Sequence, residues 1–374
     1  MSLPRTCRAA VVAAYREPIE VREVQVPDRI EPGALIVRVD VASVCGSDVH
    51  LWEGTMADVS PIPLPVILGH EMMGTIVAMG EGTAKDSVGQ PLKEGDRIIW
   101  THESCGECYY CRVVQEPTCC SNRRAYMREN VATFPYLTGG FAEYCYVFPK
   151  SGRVRIPDSV KSEWASPAGC ALRTVMHAFE RAGRIEPHQH VIVQGSGPLG
   201  LYATALASYS GLKNVTVIGG PPARLELAKR YGATQTVSIE EFRDPKERVR
   251  QAKSFTTEGV GGDVVFEFSG APYAVAEGLD LTRPAGRYVV IGQLGGPLTP
   301  VQAALIVRKH LTIYGTLSAH VGHFWKGLQF LEATRDRFDW DAMITNSYRL
   351  EELTDAIHAM QKYQEIKPLV LPWT

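Results

Sequence analysis

Four cysteines lie at a spacing that suits a metal ion. The run reads Cys105-x2-Cys108-x2-Cys111-x7-Cys119. Thiolates at such intervals can close tetrahedrally around one zinc ion with no open position, which makes a structural rather than a catalytic zinc site. A disulfide loop or a chance cluster is the competing interpretation, but two tight CxxC steps favour the metal. Cys120 follows directly, so either neighbour could be the fourth ligand, and the spacing favours Cys119.

A glycine-rich turn predicts a dinucleotide site. The segment Gly195-Ser196-Gly197-Pro198-Leu199-Gly200 follows an apolar strand and opens a helix. In this G-x-G-x-x-G pattern Gly195 permits the tight turn and Gly197 allows the backbone to approach a pyrophosphate. Gly200 allows close packing of the helix on the strand, and the helix N-terminus, with Pro198 and Leu199, faces the phosphates.

The choice between NAD and NADP stays open. The next strand ends in Gly219, where many dinucleotide folds carry an acidic residue that binds the adenosine ribose. Its absence would remove repulsion against a 2′-phosphate, but no basic residue follows until Arg224. A glycine that only shortens the turn is an equally good interpretation.

Composition excludes several classes of protein. The chain has 374 residues, 39 basic and 41 acidic, without the basic stripe that nucleic acid requires. No apolar run is long enough for a membrane span, and the N-terminus predicts a first strand rather than a signal peptide. Nine cysteines with a metal-type cluster favour a reducing compartment, so we expect a cytoplasmic protein.

Two kinds of domain follow one another along the chain. The first 150 or so residues carry short β-branched runs such as 34–41, which predict a β-rich or barrel-like unit with long loops. From about residue 158, apolar strands alternate with helical stretches, which predicts an α/β fold with a doubly wound parallel sheet. We therefore predict one domain at 1–157, completed by 318–374, and another at 158–317.

Three further segments contain residues that can bind a second metal. They are Val44-Cys45-Gly46-Ser47-Asp48-Val49-His50, Leu68-Gly69-His70-Glu71-Met72-Met73-Gly74 and Ala168-Gly169-Cys170-Ala171-Leu172-Arg173-Thr174. Two cysteines and a histidine are a known ligand set for a catalytic zinc whose fourth position stays open. Taken singly, each has a simpler explanation as a buried or hydrogen-bonded residue.

Together these motifs resemble the zinc-dependent medium-chain dehydrogenase/reductase superfamily, the alcohol dehydrogenase family. The likeness extends over nearly the whole chain and includes Gly95-Asp96-Arg97 and the run from Gly139 to Tyr144. It implies a GroES-like β-rich catalytic domain followed by a Rossmann domain. It also implies two zinc ions per chain, one catalytic and one structural, and NAD or NADP as the cofactor.

The resemblance assigns a role to each site residue. It implies Cys45, His70 and Cys170 as ligands of the catalytic zinc. The other implied roles are an adjacent carboxylate that can approach the metal (Glu71), support of the histidine ligand (Asp48), a proton relay (Ser47, then His50) and contact with the nicotinamide (Thr174).

The implied activity is reversible hydride transfer between a primary or secondary alcohol and its aldehyde or ketone. A polyol- or threonine-type dehydrogenase is an alternative, although Cys170 stands where polyol enzymes often carry a carboxylate. A zinc-free quinone reductase or a non-catalytic nucleotide-binding relative would lack ligands that are present here. The resemblance further implies a homodimer or homotetramer. We expect Trp52, Met56, the stretch after Cys120 and the region from Leu294 to Gly296 to lie near the substrate.

Overall fold

The protein divides into two compact units. The computed structural model describes residues 3–58, 60–295 and 298–374, so Gly296, which was expected near the substrate, lies outside the described residues. One unit runs to Arg173 and resumes at Ala319–Thr374, and the other is Thr174–Ser318. The segment 158–173, which the sequence analysis placed in the second domain, belongs to the first unit, because its helix packs on two strands of that unit.

Sixteen strands are present in the described residues. They are β1 (Thr6–Val12), β2 (Glu20–Gln25), β3 (Leu35–Ser43), β4 (Val66–Ile67), β5 (Glu71–Met79), β6 (Arg97–Glu103), β7 (Tyr144–Val147), β8 (Ser151–Arg155), β9 (His190–Gln194), β10 (Asn214–Gly219), β11 (Gln235–Ser238), β12 (Gly262–Glu267), β13 (Thr282–Val290), β14 (Thr312–Gly315), β15 (Ile344–Tyr348) and β16 (Lys367–Val370).

Eleven α-helices accompany them in the same part of the chain. They are α1 (Gly46–Glu53), α2 (Tyr109–Arg112), α3 (Ser162–Pro167), α4 (Arg173–Ala182), α5 (Pro198–Tyr209), α6 (Pro222–Arg230), α7 (Pro245–Ser254), α8 (Ala274–Leu281), α9 (Ala304–Arg308), α10 (Val321–Thr334) and α11 (Leu353–Gln361). A π-helical segment, Ala168–Leu172, joins α3 to α4.

The first unit is built on two sheets. A small sheet has the order β2-β1-β4, and a larger one has the order β15-β16-β3-β5-β6-β8, with β7 also paired to β3. Strand β3 is central because its apolar residues are buried on both faces, and it pairs antiparallel with β5, β7 and β16. Since β16 comes from the C-terminal segment, the sheet is complete only when both parts of the unit are present.

The second unit is a single parallel sheet with the order β11-β10-β9-β12-β13-β14. Counted from β9, this is the order 3-2-1-4-5-6 of a doubly wound nucleotide-binding fold. The order reverses beside β9, where the apolar residues Val191–Val193 are buried because α5 and α8 pack on the strand. Ligands of such sheets bind beyond the carboxyl ends of the strands at this reversal, where Gly195 follows β9.

Most sequence-based elements are confirmed. The run at 34–41 forms most of β3, and the predicted helix after the glycine-rich turn is α5. The α/β fold with a β-rich first unit and a doubly wound parallel sheet is present as predicted. In the described residues, every helix is too short or too polar to cross a membrane.

Candidate metal centres and dinucleotide loop

Four sulfur atoms converge in the cysteine-rich loop of the first unit. They belong to Cys105, Cys108, Cys111 and Cys120. The Sγ of Cys108 lies 3.5 Å from that of Cys111 and 3.9 Å from that of Cys120. The Sγ atoms of Cys120 and Cys105 are 3.5 Å apart.

The structure brings Cys120, rather than the predicted Cys119, to the other three thiols. A 3-10 turn at Pro117–Cys119 leaves Cys119 exposed, whereas the chain straightens at Cys120 and buries that thiol against the other three. Cys119 ends this turn and Cys120 follows it, so their side chains point in different directions. The spacing of the cysteines in the sequence does not show which of the two points toward the other three.

These four thiols fit a zinc ion. With metal–sulfur bonds of about 2.3 Å, the edge of a tetrahedron of sulfur atoms is about 3.8 Å, close to the separations observed. Backbone N–H groups of Cys111 and Ser121 lower the pKa of the Cys108 thiol to about 6, which favours the thiolate that binds metals. The N–H of Cys105 also donates to the Cys120 sulfur at 3.3 Å.

A second group of donors lies inside the first unit and contains Cys45, His70, Glu71 and Cys170. Cys45 caps the N-terminus of α1, His70 stands between β4 and β5, and Cys170 lies in the π-helical segment. The His70 Nε2 is 3.2 Å from the Cys170 Sγ. Each residue offers one ligand atom within 4.8 Å of the others, so the three predicted ligands are brought together.

Asp48 holds two of these ligand segments in place. Its carboxylate accepts hydrogen bonds from the backbone N–H groups of Cys45 (2.8 Å) and Gly69 (3.1 Å), which precede or carry the ligands. The same carboxylate lies 3.7 Å from His70 Nδ1. Burial lowers the pKa of His70, but hydrogen bonds with Asp48 and Cys45 and the charge of Asp48 raise it to about 10, while Cys170 and burial raise the pKa of the Cys45 thiol to about 11. The pocket therefore favours a positive charge, which suits a cation bound by two thiolates and an imidazole.

Glu71 is held on one side by a buried lysine that the sequence analysis missed. Its Oε2 lies 2.5 Å from Lys367 Nζ and accepts a hydrogen bond from Ser43 Oγ at 2.6 Å. Its Oε1 is buried without a hydrogen-bond partner among the described residues. Lys367 also donates to the backbone carbonyl of Val44, next to Cys45. In the sequence, Lys367 is only a lone lysine at the start of an apolar final strand. That pattern does not indicate which residue pairs with it.

The predicted relay residues lie on α1, three positions apart. Ser47 is half-buried, with its Oγ 3.8 Å from the Cys45 Sγ. His50 is exposed, and its Nδ1 lies 3.3 Å from Thr55 Oγ1. The two side chains share a face of the helix because they are at i and i+3. The relay itself stays a prediction.

In the second unit the glycine-rich turn has the form that a dinucleotide needs. Gly195 has a φ of +111°, and a Cβ on Gly200 would stand 1.9 Å from the Gly195 carbonyl oxygen, so both must be glycine. A Cβ on Gly197 would meet no atom within 4 Å, so this position faces open space at the start of α5. Pro198 and Leu199 form the first turn of that helix. Backbone N–H groups there fit a pyrophosphate.

Close packing explains why β10 ends in a glycine, Gly219. A Cβ on Gly219 would be 2.3 Å from Ser196 Oγ, and that hydroxyl is bound to both the N–H and the carbonyl of Gly220 at 3.0 Å. Gly219 is thus required by close packing against the phosphate loop, whichever cofactor binds. Arg224 is buried in α6, and Thr174 is buried at the start of α4.

Comparison with known proteins gives the family. Residues 31–158 match the alcohol dehydrogenase GroES-like domain and residues 198–333 match the zinc-binding dehydrogenase domain. The chain is 33% identical to 5-exo-hydroxycamphor dehydrogenase of Pseudomonas putida, over 97% of this chain and 98% of that one. It is 35% identical to L-threonine 3-dehydrogenase of Pyrococcus horikoshii, over 88% of each chain.

A solved structure supports the same family. The alcohol dehydrogenase of Thermotoga maritima superposes with a TM-score of 0.89 at 32% identity, covering 98% of this chain and 99% of that one. The protein therefore belongs to the zinc-type medium-chain dehydrogenases, a family of oxidoreductases, and the resemblance given by its motifs is confirmed.

Proposed function

We propose that the protein is a zinc-dependent alcohol dehydrogenase that uses NAD or NADP. The observation that carries the proposal is the convergence of Cys45, His70 and Cys170 in a chain that also has an open, glycine-built phosphate turn. Cys45, His70 and Cys170 are the ligand set of a metal that keeps one position for substrate, and the fourth donor of the group, Glu71, is engaged by Lys367 and Ser43. When bound, zinc polarises the substrate oxygen and the nicotinamide takes up or returns a hydride.

The side chains of the protein handle the proton and the geometry. Oxidation removes one hydride and one proton from the alcohol, and the hydride goes to the dinucleotide. In this proposal Ser47 accepts the hydroxyl proton and His50, which is exposed, passes it to solvent. Asp48 holds the segments that carry Cys45 and His70 in position through its two hydrogen bonds from backbone N–H groups. Reduction of a carbonyl uses the same path in reverse.

A threonine-type substrate is the second candidate. The relative from Pyrococcus horikoshii named as a threonine 3-dehydrogenase is 35% identical to this chain, which supports it. Cys170, where polyol enzymes often carry a carboxylate, favours the alcohol dehydrogenase pattern instead. The two candidates share the reaction and differ in the substrate.

The proposal is tested by assaying alcohols, polyols, L-threonine and matching carbonyls with NAD and NADP in parallel, following nicotinamide absorbance. Metal analysis of the purified protein runs alongside. We expect two zinc ions per chain and turnover with at least one dinucleotide. A protein with both zinc ions that turns over no alcohol or carbonyl with either cofactor would contradict the proposed activity.

We further propose that two copies of the chain associate through β14. This strand ends the parallel sheet and pairs only with β13 among the described residues. Exposed apolar side chains lie on and beside it, at Val307 (76% exposed), Ile313 (40%) and Leu317 (59%). An open apolar strand edge invites a further strand, and an identical edge related by a twofold axis supplies one.

A further inference from the structure

Positive side chains crowd around one histidine of the first unit. His102 lies in β6, which packs against the segment that carries Cys170. Burial, together with the charges of Arg123, Arg173, His70 and Arg128, holds the pKa of His102 well below its ordinary range. Three guanidinium groups and one of the proposed metal ligands therefore act on His102. A backbone bridge between Glu103 and Arg124, and the hydrogen bond from the Tyr126 N–H to His102, place the stretch 123–128 alongside β6 in the same unit.

The proton on His102 can be placed. Its Nδ1 accepts a hydrogen bond from the backbone N–H of Tyr126 at 3.1 Å, so that nitrogen carries no proton. With the imidazole held neutral, the proton is on Nε2. That N–H has no acceptor among the described residues and is not sealed from solvent.

Arg123 is a second donor without an acceptor. It is half-buried, yet its guanidinium makes no hydrogen bond or ion pair within residues 3–58, 60–295 and 298–374. Burial, then the charges of Arg173 and Arg128, lower the pKa of Arg123 to about 10. One guanidinium nitrogen of Arg128 donates to the Ser60 carbonyl at 3.1 Å.

Arg173 adds positive charge to this region, but its own guanidinium is already bound by other groups of the protein. It is buried, donates to the carbonyls of Gly169 and Ala319, and lies over the ring of Phe324 at 4.9 Å. It follows Cys170 by three residues, directly after the π-helical segment. A fixed buried guanidinium makes the neighbourhood of the metal ligands more positive for any group that enters it.

The acidic groups nearby are already engaged. Asp48 accepts two backbone N–H groups, and Glu71 is paired with Lys367. Glu103, next to His102, accepts the Lys150 N–H at 2.8 Å and faces Arg124 at 3.5 Å. Arg123, Arg128 and His102 thus lie on neighbouring segments of the first unit, and in the described residues no carboxylate is bound to their remaining donors.

We propose that Arg123, Arg128 and His102 form an anion-binding side of the substrate site, so that the substrate is an alcohol or carbonyl compound carrying a carboxylate or phosphate. This inference rests on the proposed function. A guanidinium fork binds either anion through paired N–H groups, and a neutral imidazole N–H adds a third donor.

A rival role for Arg123 has to be separated from this one. The Cys120 and Cys119 sulfurs also act on Arg123 and raise its pKa. A zinc ion with four thiolates is negatively charged, so Arg123 could serve only as its counterion. That role predicts loss of structural zinc when Arg123 is replaced, without any effect on which substrates are preferred.

The test compares ω-hydroxy acids of increasing length with their methyl esters and with the phosphate monoesters of the matching diols. For the wild type we expect kcat/KM to be at least about tenfold higher for one anionic series than for the neutral esters. Arg123→Met should reduce that preference by about 10- to 100-fold, mainly through KM, with both zinc ions retained. Arg124→Met is the matched control, since Arg124 pairs with Glu31 and Glu103 and lies over Phe148, and it should keep the preference.

The wild type alone provides a second measurement that needs no variant to fold. Butanoate should inhibit oxidation of a neutral alcohol competitively, and butanamide should inhibit at least about tenfold less. Active wild-type enzyme that shows no preference for either anionic series, and no stronger inhibition by butanoate, would overturn the inference while leaving the proposed function intact. Loss of zinc in Arg123→Met with an unchanged preference would also overturn it. Absence of turnover in all three series and with neutral alcohols would instead contradict the proposed function.

Discussion

At the scale of single residues, His50 and His70 have different surroundings and should respond differently to removal. His50 is exposed at the end of α1, whereas His70 is buried between thiols. His50→Ala should keep both zinc ions and the fold. Alcohol oxidation should fall most at low pH, where releasing the proton is hardest, and imidazole buffer should restore part of it.

The measurement is a pH–rate profile of each variant together with its zinc content. His70→Ala should lose one zinc ion and all activity, and buffer should not rescue it, because a ligand is missing rather than a proton acceptor. Identical profiles for the wild type and His50→Ala would remove His50 from the relay. Loss of zinc from His50→Ala would show that the ligands are wrongly assigned.

The buried pair of Lys367 and Glu71 predicts a second residue-scale effect. Burial raises the pKa of Glu71 to about 8, so at pH 9, where the carboxylate forms, Lys367→Met leaves it buried without its cation and should lower the free energy of unfolding by about 3–5 kcal/mol. The double variant Lys367→Met/Glu71→Gln should recover much of this loss, because no uncompensated charge remains. Urea unfolding of the zinc-loaded proteins measures both. Equal stability of the single and double variants would show that the unpaired charge of Glu71 is not the cause of the lost stability.

At the scale of elements, the cysteine loop offers a matched pair of neighbouring residues. Cys120→Ser and Cys108→Ser should each lose one zinc ion and lower the melting temperature, because a structural metal contributes folding energy. Cys119→Ser should change neither, since Cys119 is exposed and outside the cluster. Measurements of zinc content and thermal unfolding of the three variants test which cysteine is the fourth ligand. Zinc loss from Cys119→Ser but not from Cys120→Ser would reverse the assignment.

The same loop marks the limit of what the sequence could predict. Its cysteines are close in sequence, so spacing found three ligands, but the turn before Cys120 set the fourth. The strands and the glycine-rich turn were predictable because periodicity and glycine report local conformation. The partners of Glu71 and His102 were not, since Lys367 and Tyr126 come from other segments that only the folded chain brings to them.

At the scale of the whole molecule, the open edge at β14 predicts the state of association. Ile313→Lys should shift the protein toward a smaller species, because a charge on an apolar strand edge opposes pairing. Light scattering after size exclusion measures the mass. Val88→Lys, at another exposed apolar position, should leave the mass unchanged. A wild-type protein that is monomeric at micromolar concentration would contradict the proposed association.

The place of β16 in the first sheet has a consequence for biosynthesis. The ribosome completes the nucleotide-binding unit, which is contiguous, before it makes the residues that finish the sheet around β3. At about 5–20 residues per second, synthesis of that unit takes roughly 7–30 s. During this interval Cys45 and His70 have emerged, but Lys367 does not yet exist to neutralise Glu71. We therefore expect nascent chains to acquire the metal at this site only after release, and chains that stop before Lys367 to expose an unpaired β3 edge and be removed by proteolysis.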